Sequence, residues 1–361
     1  MMMRRTITIL LVIFAVLVFA TWQYRLLCLL LAVIVNRQWI RKRWRRAYPA
    51  IVGGLAVAIF IAVPNYFQRG RTQLVYLDHQ GERICTPLPV YLVNAVLPEE
   101  ELMNAALKAS AVLPPALLSP LFKNLGGRFI RDAKHDFWGG KALSFYMPYN
   151  RLSVQGSNPG SFVIAQIMNE MLGTDYEGIY VTKPRHYDSS KSYPVVFFAH
   201  GFLGSWELYH GLLSRLEDCL VVGIGTRDLS GVFSYESIKR IFTKYLPYLE
   251  SSGFHVDKNS LHLMGLSNGG TAADVGLRHF SSQFKTISYI STSCNVAKSS
   301  RAKVIMIGGG KDSSAMGLPS AAQRLRKQGT KVALLFDREA NHYMMLYEAE
   351  QVFEFLNREM F

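Results

Sequence analysis

The sequence has few cysteines, and nothing in their spacing resembles a metal site. Its 361 residues include four cysteines, Cys28, Cys85, Cys219 and Cys294, which lie far apart. Protein zinc sites usually draw their ligands from closely spaced residues. The cysteines therefore imply no metal, and no other part of the sequence implies an organic cofactor. One disulfide, involving Cys85, and buried free thiols are both compatible with these positions.

Acidic residues are absent from the first 72 residues, which contain eleven Arg or Lys. The formal net charge of +14 comes mostly from this segment, since the remaining 29 basic residues nearly balance the 26 acidic ones. A nucleic-acid-binding domain usually concentrates basic residues on the folded part of the chain. The near-neutral remainder gives no indication of nucleic-acid binding. Internal repeats and low-complexity tracts are also lacking.

The basic excess lies among long apolar runs. Thr6–Tyr24 has about the length that a bilayer crossing needs, Leu26–Val35 is shorter, and Tyr48–Val63 is a third run. Between the last two lies the basic stretch 37–46, with two tryptophans that favour a position at the lipid headgroups. Residues 1–66 are therefore predicted to be a membrane anchor of two or three transmembrane helices. Buried core helices and a cleaved signal peptide are the alternatives.

The charge pattern also predicts an orientation. Basic loops tend to stay in the cytoplasm, so the loop 36–47 is expected on that side. With either two or three spans, the last span carries the chain outward. The sequence thus predicts a multi-pass membrane protein, with the lipid bilayer as a partner and the rest of the chain on the extracytoplasmic, periplasmic or extracellular, side.

From residue 176 onward, apolar strand patterns alternate with helical patterns. Such alternation is typical of a mainly parallel sheet that is covered by helices on both faces. Residues 176–361 are therefore predicted to form an α/β domain. In such sheets, ligands bind beyond the carboxyl ends of the strands.

The stretch Leu261–Ala273 contains the pattern G-x-S-x-G between a strand and the start of a helix. Gly265-Leu266-Ser267-Asn268-Gly269 fits a nucleophile elbow, a turn so tight that the serine hydroxyl is exposed at the top of the sheet. Glycines are expected on either side because a side chain there would collide with a neighbouring strand or helix. Ser267 is the predicted nucleophile.

Partners for this serine follow the order acid, then histidine, that such a fold uses. Asp312 lies in a glycine-rich loop after the apolar strand 303–307, and His342 follows the strand 331–336. These two are the predicted acid and base. The backbone N–H groups of Phe202, in an HG turn after the strand 194–199, and of Asn268 are the predicted oxyanion hole. Competing residues for the acid role are Asp337 and Glu339, and for the base His200, His262 and His279.

The motifs together resemble the α/β-hydrolase superfamily over about half of the chain. The residues PVVFFAHGFLGSWELY (194–209), Thr226-Arg227-Asp228 and GLSNGG (265–270) are similar to those of platelet-activating-factor acetylhydrolase and bacterial lipase-like esterases. The resemblance implies an α/β-hydrolase fold and oxyanion donors at the HG turn and after the nucleophile. Leu266 and Asn268 depart from the residues usual in those relatives, which leaves the substrate open. Arg227 and Asp228 could form a loop-bracing ion pair or contact substrate.

Residues 67–175 are predicted to be a connecting or lid region packed on the core. Gln73–Leu77 and Val90–Val93 suggest strands, and Ser161–Leu172 suggests a helix. The apolar stretch 86–125 could be a lid over an acyl pocket, a face resting on a bilayer, or helices that simply pack on the core.

The predicted function is a membrane-anchored serine hydrolase. It would cleave a carboxylic ester, either a lipid or a short acyl ester, through an acyl-enzyme. A peptidase or amidase on the same fold and a catalytically silent, membrane-tethered binding protein are the alternatives. The acyl and alcohol parts of the substrate and the oligomeric state are not readable from the sequence.

Overall fold

The computed structural model describes residues 72–78, 80–96, 162–172, 177–201, 207–226 and 231–361, together with a few short pieces before residue 54. The strands in this part of the chain are β1 (Thr72–Leu77), β2 (Arg83–Ile84), β3 (Glu177–Thr182), β4 (Tyr193–Ala199), β5 (Leu220–Ile224), β6 (Val256–Leu266), β7 (Thr286–Ile290), β8 (Lys303–Gly309) and β9 (Val332–Asp337). The α-helices are α1 (Leu88–Val96), α2 (Phe162–Leu172), α3 (Glu207–Leu213), α4 (Tyr235–Arg240), α5 (Leu246–Ser251), α6 (Gly270–His279), α7 (Leu318–Lys327), α8 (Met344–Tyr347) and α9 (Ala349–Met360).

Two short irregular helices complete the described elements. The segment Ile241–Tyr245 is π-helical and joins α4 to α5, and a 3-10 turn, Ser267–Gly269, joins β6 to α6.

All described strands belong to one sheet, in the order β2-β1-β3-β5-β4-β6-β7-β8-β9. The strands from β5 to β9 pair in parallel, whereas β3 pairs antiparallel with both β1 and β5. The parallel strands β4, β5, β7 and β8 and the second half of β6, from Leu261 to Leu266, are almost entirely buried, as expected for a sheet with both faces covered. Apart from the two-residue edge strand β2, β3 is the one described strand that runs against the others. This strand order is that of the α/β-hydrolase fold predicted from the sequence.

The parallel arrangement decides where chemistry can occur. Because β4, β6 and β8 run in the same direction, the turns that follow them meet at one edge of the sheet. The sequence-predicted residues Ser267, Asp312 and His342 follow β6, β8 and β9 directly, so all three are brought to that edge.

Local sequence patterns predicted most elements but not all. The predicted strand Val90–Val93 is wrong, because these residues form the middle of α1. Pro89 suits the first turn of a helix, where a backbone N–H would have no partner. In that turn Val90 is fully buried, whereas Leu88 is exposed. Helix α7 was not predicted, and the final helical pattern of the sequence, Tyr343–Glu359, is divided between α8 and α9.

The chain divides into two compact units. One comprises Met1–Arg69 and Leu97–Asn158, and the other comprises Gly70–Val96 and Pro159–Phe361. The whole sheet, including β1, lies in the second unit, and so do α1 and α2. The sequence boundaries 1–66, 67–175 and 176–361 remain a prediction, and most of the proposed lid stretch 86–125 lies outside the described residues.

Nowhere in the described part of the chain does a helix combine the length and the apolar character that a bilayer crossing requires. This finding contradicts the predicted localisation as a multi-pass membrane protein, and the described residues do not support the predicted transmembrane helices or a bilayer partner. Apolar composition supports a span only where it forms one apolar helix of about 20 residues. The apolar runs and the basic loop 36–47 on which the prediction depended lie largely outside the described residues.

Candidate active site

The elbow after β6 is shaped by glycines that allow backbone to approach backbone. A Cβ at Gly265 would lie 2.2 Å from the carbonyl oxygen of Gly269, and a Cβ at Gly269 would lie 2.2 Å from that of Ala199. Real Cβ atoms never come this close, so neither position tolerates a side chain without moving the main chain. The predicted reason for both glycines is confirmed. Their effect is to hold the elbow tightly against the end of β4.

Ser267 itself has a strained backbone, with a φ of 53°. A residue other than glycine rarely adopts this left-handed region, and such strain is typical of functional positions. The geometry turns the chain from β6 into α6 within three residues. The serine side chain is thereby directed away from the sheet and toward the loop that follows β9.

A continuous hydrogen-bonded chain links the three predicted residues. The Ser267 Oγ lies 3.0 Å from His342 Nε2, and His342 Nδ1 lies 2.9 Å from Asp312 Oδ2. With the Nδ1 hydrogen donated to the carboxylate, Nε2 can accept the hydroxyl proton. These three side chains come from positions 30 and 75 residues apart, which only the fold brings together.

Asp312 is almost completely buried, with 3% of its side chain exposed. Burial alone would raise the pKa of its carboxyl group, but the hydrogen bond and charge of His342 and the hydrogen bonds from Ser314 hold that pKa below its usual value of 3.8. Ser314 donates from its backbone N, at 2.9 Å, and from its Oγ, at 2.7 Å, to Asp312 Oδ1. The carboxylate is therefore ionised at neutral pH and oriented with Oδ2 toward the imidazole.

Ser314 was not identified from the sequence. Its Oγ also lies 3.4 Å from His342 Nδ1, so one hydroxyl group is placed beside both members of the acid–base pair. A serine two residues after an aspartate is a common turn pattern, and this is the signal that could have indicated its role.

The competing acids, Asp337 and Glu339, contact other groups. Asp337 accepts a hydrogen bond from the backbone N of Glu339, and Glu339 forms an exposed ion pair with Lys311 at 2.6 Å. In the described structure, the carboxylate hydrogen-bonded to His342 is that of Asp312.

The competing histidines lie in different environments. His262 is buried within β6, where its Nδ1 lies 2.8 Å from Thr286 Oγ1, and burial lowers its pKa to about 3. His279 is exposed at the end of α6. His200 donates from Nδ1 to the carbonyl oxygen of Gly201, and its ring packs against Phe162 and Phe233. His200 thus supports the turn after β4.

The turn after β4 touches the elbow at Gly201. A Cβ there would lie 3.0 Å from Ser267 Cβ, so the predicted oxyanion turn borders the nucleophile. Asn268, the other predicted donor, is the second residue of the 3-10 turn. Phe202 lies outside the described residues, as do Arg227 and Asp228. The oxyanion hole therefore remains a prediction.

A second segment, residues 231–234, supports the elbow from the side. Gly231 packs against the backbone of Gly201, leaving no room for a side chain, since a Cβ would be 2.4 Å from the Gly201 oxygen. The Phe233 N donates to Thr271 Oγ1, and Thr271 Oγ1 donates to the Asn268 carbonyl oxygen; both donor–acceptor distances are 2.8 Å. Sequence reasoning missed this bridge because the segment has no motif of its own.

The thiols in the described part of the chain are free: Cys85 is exposed, and Cys219 and Cys294 are buried. Of the two interpretations of the cysteine positions, free thiols are the one observed for these three residues. Cys28 lies outside the described residues.

No protein-family model matches the chain, and no curated protein matches it. Solved structures do. An acylaminoacyl peptidase of Pyrococcus horikoshii is 14% identical, with a TM-score of 0.42 over 52% of this chain and 40% of that one. A thermostable esterase is 16% identical, with a TM-score of 0.41 over 51% of this chain and 60% of that one. A ferulic acid esterase is 18% identical, with a TM-score of 0.43 over 53% of this chain and 94% of that one.

The chain thus spans less than half the length of the peptidase that it resembles. These matches concern the fold, and their names describe those proteins only. The strand order and the placement of Ser267, Asp312 and His342 after β6, β8 and β9 are this chain's own evidence. On that evidence, the chain has the α/β-hydrolase fold.

Proposed function

We propose that the protein is a serine hydrolase that cleaves carboxylic esters through an acyl-enzyme. The observation that supports this most strongly is the chain of hydrogen bonds from Ser267 Oγ through His342 to Asp312, with distances of 3.0 and 2.9 Å. A serine hydroxyl becomes an effective nucleophile when a base accepts its proton during attack. His342 Nε2 is within reach to do so.

The proposed reaction has two halves. In the first, Ser267 Oγ attacks the acyl carbon, its proton passes to His342 Nε2, and the protonated imidazole then gives that proton to the leaving alcohol. In the second, water attacks the acyl-enzyme by the same route and releases the acid. Asp312 holds the imidazole by its Nδ1 hydrogen and stabilises its charged form. The backbone N–H groups of Phe202 and Asn268 would stabilise the oxyanion.

We expect esters rather than amides as substrates because a tetrahedral intermediate expels an alkoxide far more readily than an unprotonated amide nitrogen, which must first be protonated. An amidase would need the same three side chains, so the choice depends on the leaving group. A p-nitrophenyl ester and a p-nitroanilide with the same acyl group compare the two leaving groups directly. We expect the p-nitrophenyl ester to be cleaved at least about 100-fold faster than the p-nitroanilide. Equal rates, or faster cleavage of the anilide, would favour a peptidase or amidase.

Covalent labelling tests whether the serine reacts at all. The full chain is incubated with a fluorophosphonate probe, beside Ser267→Ala and His342→Ala. We expect strong labelling of the wild type, none of Ser267→Ala and much slower labelling of His342→Ala. If the folded wild-type chain is not labelled, the protein is a binding protein on a hydrolase scaffold and the proposed function is wrong.

A further inference from the structure

The described sheet ends differently on its two sides. At one end lies β2, which is two residues long, and at the other lies β9, which is six residues long and has β8 as its described neighbour. An edge strand presents backbone N–H and C=O groups that can pair with another chain, and natural proteins often keep such strands short or cover them. The β2 edge is short in this way. At the β9 edge, a full-length strand is present, and the described part of the chain places no second strand beside it.

Strand β9 has the composition of a buried strand without its burial. Residues 332–336 are all apolar, yet each residue of β9 is partly exposed. In the neighbouring β8, every residue after Lys303 is buried. Val332 and Leu334 pack against the hydrophobic core and are still only partly buried. A second strand placed along β9 would therefore remove apolar surface from water.

The hydrogen bonds of β9 show which backbone groups face outward. The carbonyl oxygens of Lys331 and Asp337 accept hydrogen bonds from the two ends of β8, from the backbone N of Val304 and of Gly310. Backbone groups of successive strand residues alternate in direction, so residues 332, 334 and 336 direct their N–H and C=O groups away from β8. The guanidinium of Arg326 agrees with this, because it donates to the carbonyl oxygen of Val332 over 2.9 Å.

The charges at the two ends of β9 are complementary to each other. Lys331 precedes the strand, Asp337 ends it, and no charged residue lies between them. In an antiparallel pair of two copies with Leu334 opposite Leu334, the outward groups of Val332 face those of Phe336. Lys331 of each copy then lies opposite Asp337 of the other, in a non-hydrogen-bonded pair, the type in which side chains come closest.

This register is the one that both the backbone and the charges favour. Sliding one copy by two residues in either direction keeps outward groups opposite each other but shortens the paired stretch and separates Lys331 from Asp337. Sliding it by one residue places outward groups opposite residues whose backbone groups are bonded to β8. A strand with opposite charges at its ends matches a copy of itself only when the copy runs in the reverse direction.

One side chain already contacts the outer edge of β9. Arg326, on α7, donates from Nε and Nη2 to the carbonyl oxygen of Val332, over 3.2 and 2.9 Å. A carbonyl oxygen has two lone pairs, so this contact is compatible with a further bond from the Phe336 N–H of a second copy. The contact concerns the first residue of β9, and the outward groups farther along the strand need water or another chain as partner.

We propose that the protein forms a symmetric dimer in which the β9 strands of two copies pair antiparallel around Leu334 and join the two sheets. The partner is a second copy of this chain, because the outward backbone groups, the apolar residues and the end charges of β9 all complement those of a reversed β9. The inference does not depend on the proposed function. It holds whether or not Ser267 is reactive.

Exchanging the end charges tests the dimer. Lys331→Glu and Asp337→Lys each place like charges opposite each other at both ends of the pair. In an equimolar mixture of the two variants, every end charge again faces an opposite one. We expect sedimentation equilibrium of the full chain to show a wild-type dimer, a dissociation constant raised at least about 10-fold in each variant alone, and recovery to within about threefold of wild type in the mixture. Lys191→Glu, in an exposed turn before β4, is the matched control and should dimerise as wild type does.

Three results would contradict the proposal. If the wild-type chain stays monomeric up to about 100 μM, the dimer does not exist at a useful affinity. If it dimerises but neither charge variant weakens the dimer, the interface lies elsewhere. If both variants weaken it and the mixture does not recover, Lys331 does not lie opposite Asp337 and the register is wrong. Circular dichroism establishes that each variant is folded.

Disulfide formation tests the same register without changing charge. In the proposed pair, Ala333 of one copy lies opposite Leu335 of the other in a non-hydrogen-bonded pair, with Cα atoms about 4.5 Å apart, within the range of a disulfide. Ala333→Cys and Leu335→Cys are made separately in a chain that carries Cys28→Ser and Cys85→Ser. We expect a disulfide-linked dimer when the two variants are mixed and oxidised, and little from either variant alone. Equal cross-linking in the mixture and in the separate variants would overturn the register, and no cross-linking in the mixture would overturn the β9 interface.

Discussion

Two carboxylates lie near the same edge of the sheet, the buried Asp312 and the largely buried Glu177, and their surroundings differ. Asp312 faces the imidazole of His342 and, beyond it, the hydroxyl of Ser267. Glu177 faces the guanidinium of Arg240, the amine of Lys244 and the hydroxyl of Tyr245. In both cases the partners outweigh burial and lower the carboxyl pKa.

The difference lies in what each carboxylate leaves available. Asp312 ends a hydrogen-bonded chain that continues through His342 to Ser267, so we expect a change there to alter the proposed reaction. Glu177 has both of its oxygens occupied by donors that keep their protons, so changing it alters a structure. A buried carboxylate with a lowered pKa is therefore not by itself a sign of catalysis; the nature of its partner decides.

The variant Asp312→Asn tests most directly whether Asp312 is the acid partner of His342. The amide keeps the shape but loses the charge and can favour the wrong imidazole tautomer, for which a loss of about 10⁴-fold in kcat is known in serine proteases. We expect a loss of 10³- to 10⁴-fold on p-nitrophenyl acetate. Asp337→Asn is the control, because the Asp337 carboxylate accepts from the backbone N of Glu339, and the activity of this variant should stay within threefold of wild type. Similar losses in both would reopen the acid assignment.

Glu177→Gln tests the other side of the comparison. It leaves two cations and a tyrosine around a neutral amide, and breaking a buried ion pair typically costs about 3–5 kcal/mol. Because the three side chains are partly exposed, 17–18% each, we expect a loss of about 2–4 kcal/mol in the free energy of unfolding. Urea denaturation measures it. The folded variant should lose less than tenfold in activity on p-nitrophenyl acetate; a loss like that of Asp312→Asn would contradict the structural role.

The two carboxylates also differ in how far the sequence predicts them. Asp312, His342 and Ser267 each follow an apolar strand, and parallel strands bring such positions to one edge, so local pattern and fold class were sufficient. The Glu177 group was not predictable, because Arg240, Lys244 and Tyr245 share a face only through a π-helical turn that leaves no periodic signal. Glu177, the residue that these three side chains contact, lies 63 to 68 residues earlier in the chain, on β3.

Composition alone was the weakest guide. The apolar runs before residue 66 predicted membrane spans, yet no described helix could form one. The stretch around Val90 has the apolar character of a strand but forms α1, in which Val90 is fully buried. There, hydrophobicity indicated burial without indicating which structure provides it.

The variant Ser314→Ala tests how far the Ser314 hydroxyl orients Asp312 toward His342. The variant removes one of the two hydrogen bonds that orient Asp312, while the backbone donor remains. A partly exposed hydrogen bond to a charged group contributes about 1 kcal/mol, so we expect kcat to fall about fivefold. Ser313→Ala, at the neighbouring exposed position, serves as the control and should behave as wild type. If both variants match wild type, the orientation of Asp312 is set by the backbone alone.

Acid titration of stability separates the two carboxylates by the smallest effect. Both have folded-state pKa values below their unfolded values, 3.8 for Asp312 and 4.5 for Glu177. A carboxyl group of this kind stabilises the folded chain fully above its unfolded pKa, and the contribution disappears as pH falls through the folded pKa, because the unfolded chain binds protons first. Unfolding free energies of wild type, Glu177→Gln and Asp312→Asn should therefore be compared between pH 6 and pH 3. Replacing Glu177 should flatten the decline from about pH 4.5 downward, whereas replacing Asp312 should flatten it only from about pH 3.8 downward. If neither variant changes the slope, the partners around each carboxylate do not favour its charged form, and the contrast between a catalytic and a structural carboxylate would have to rest on geometry alone.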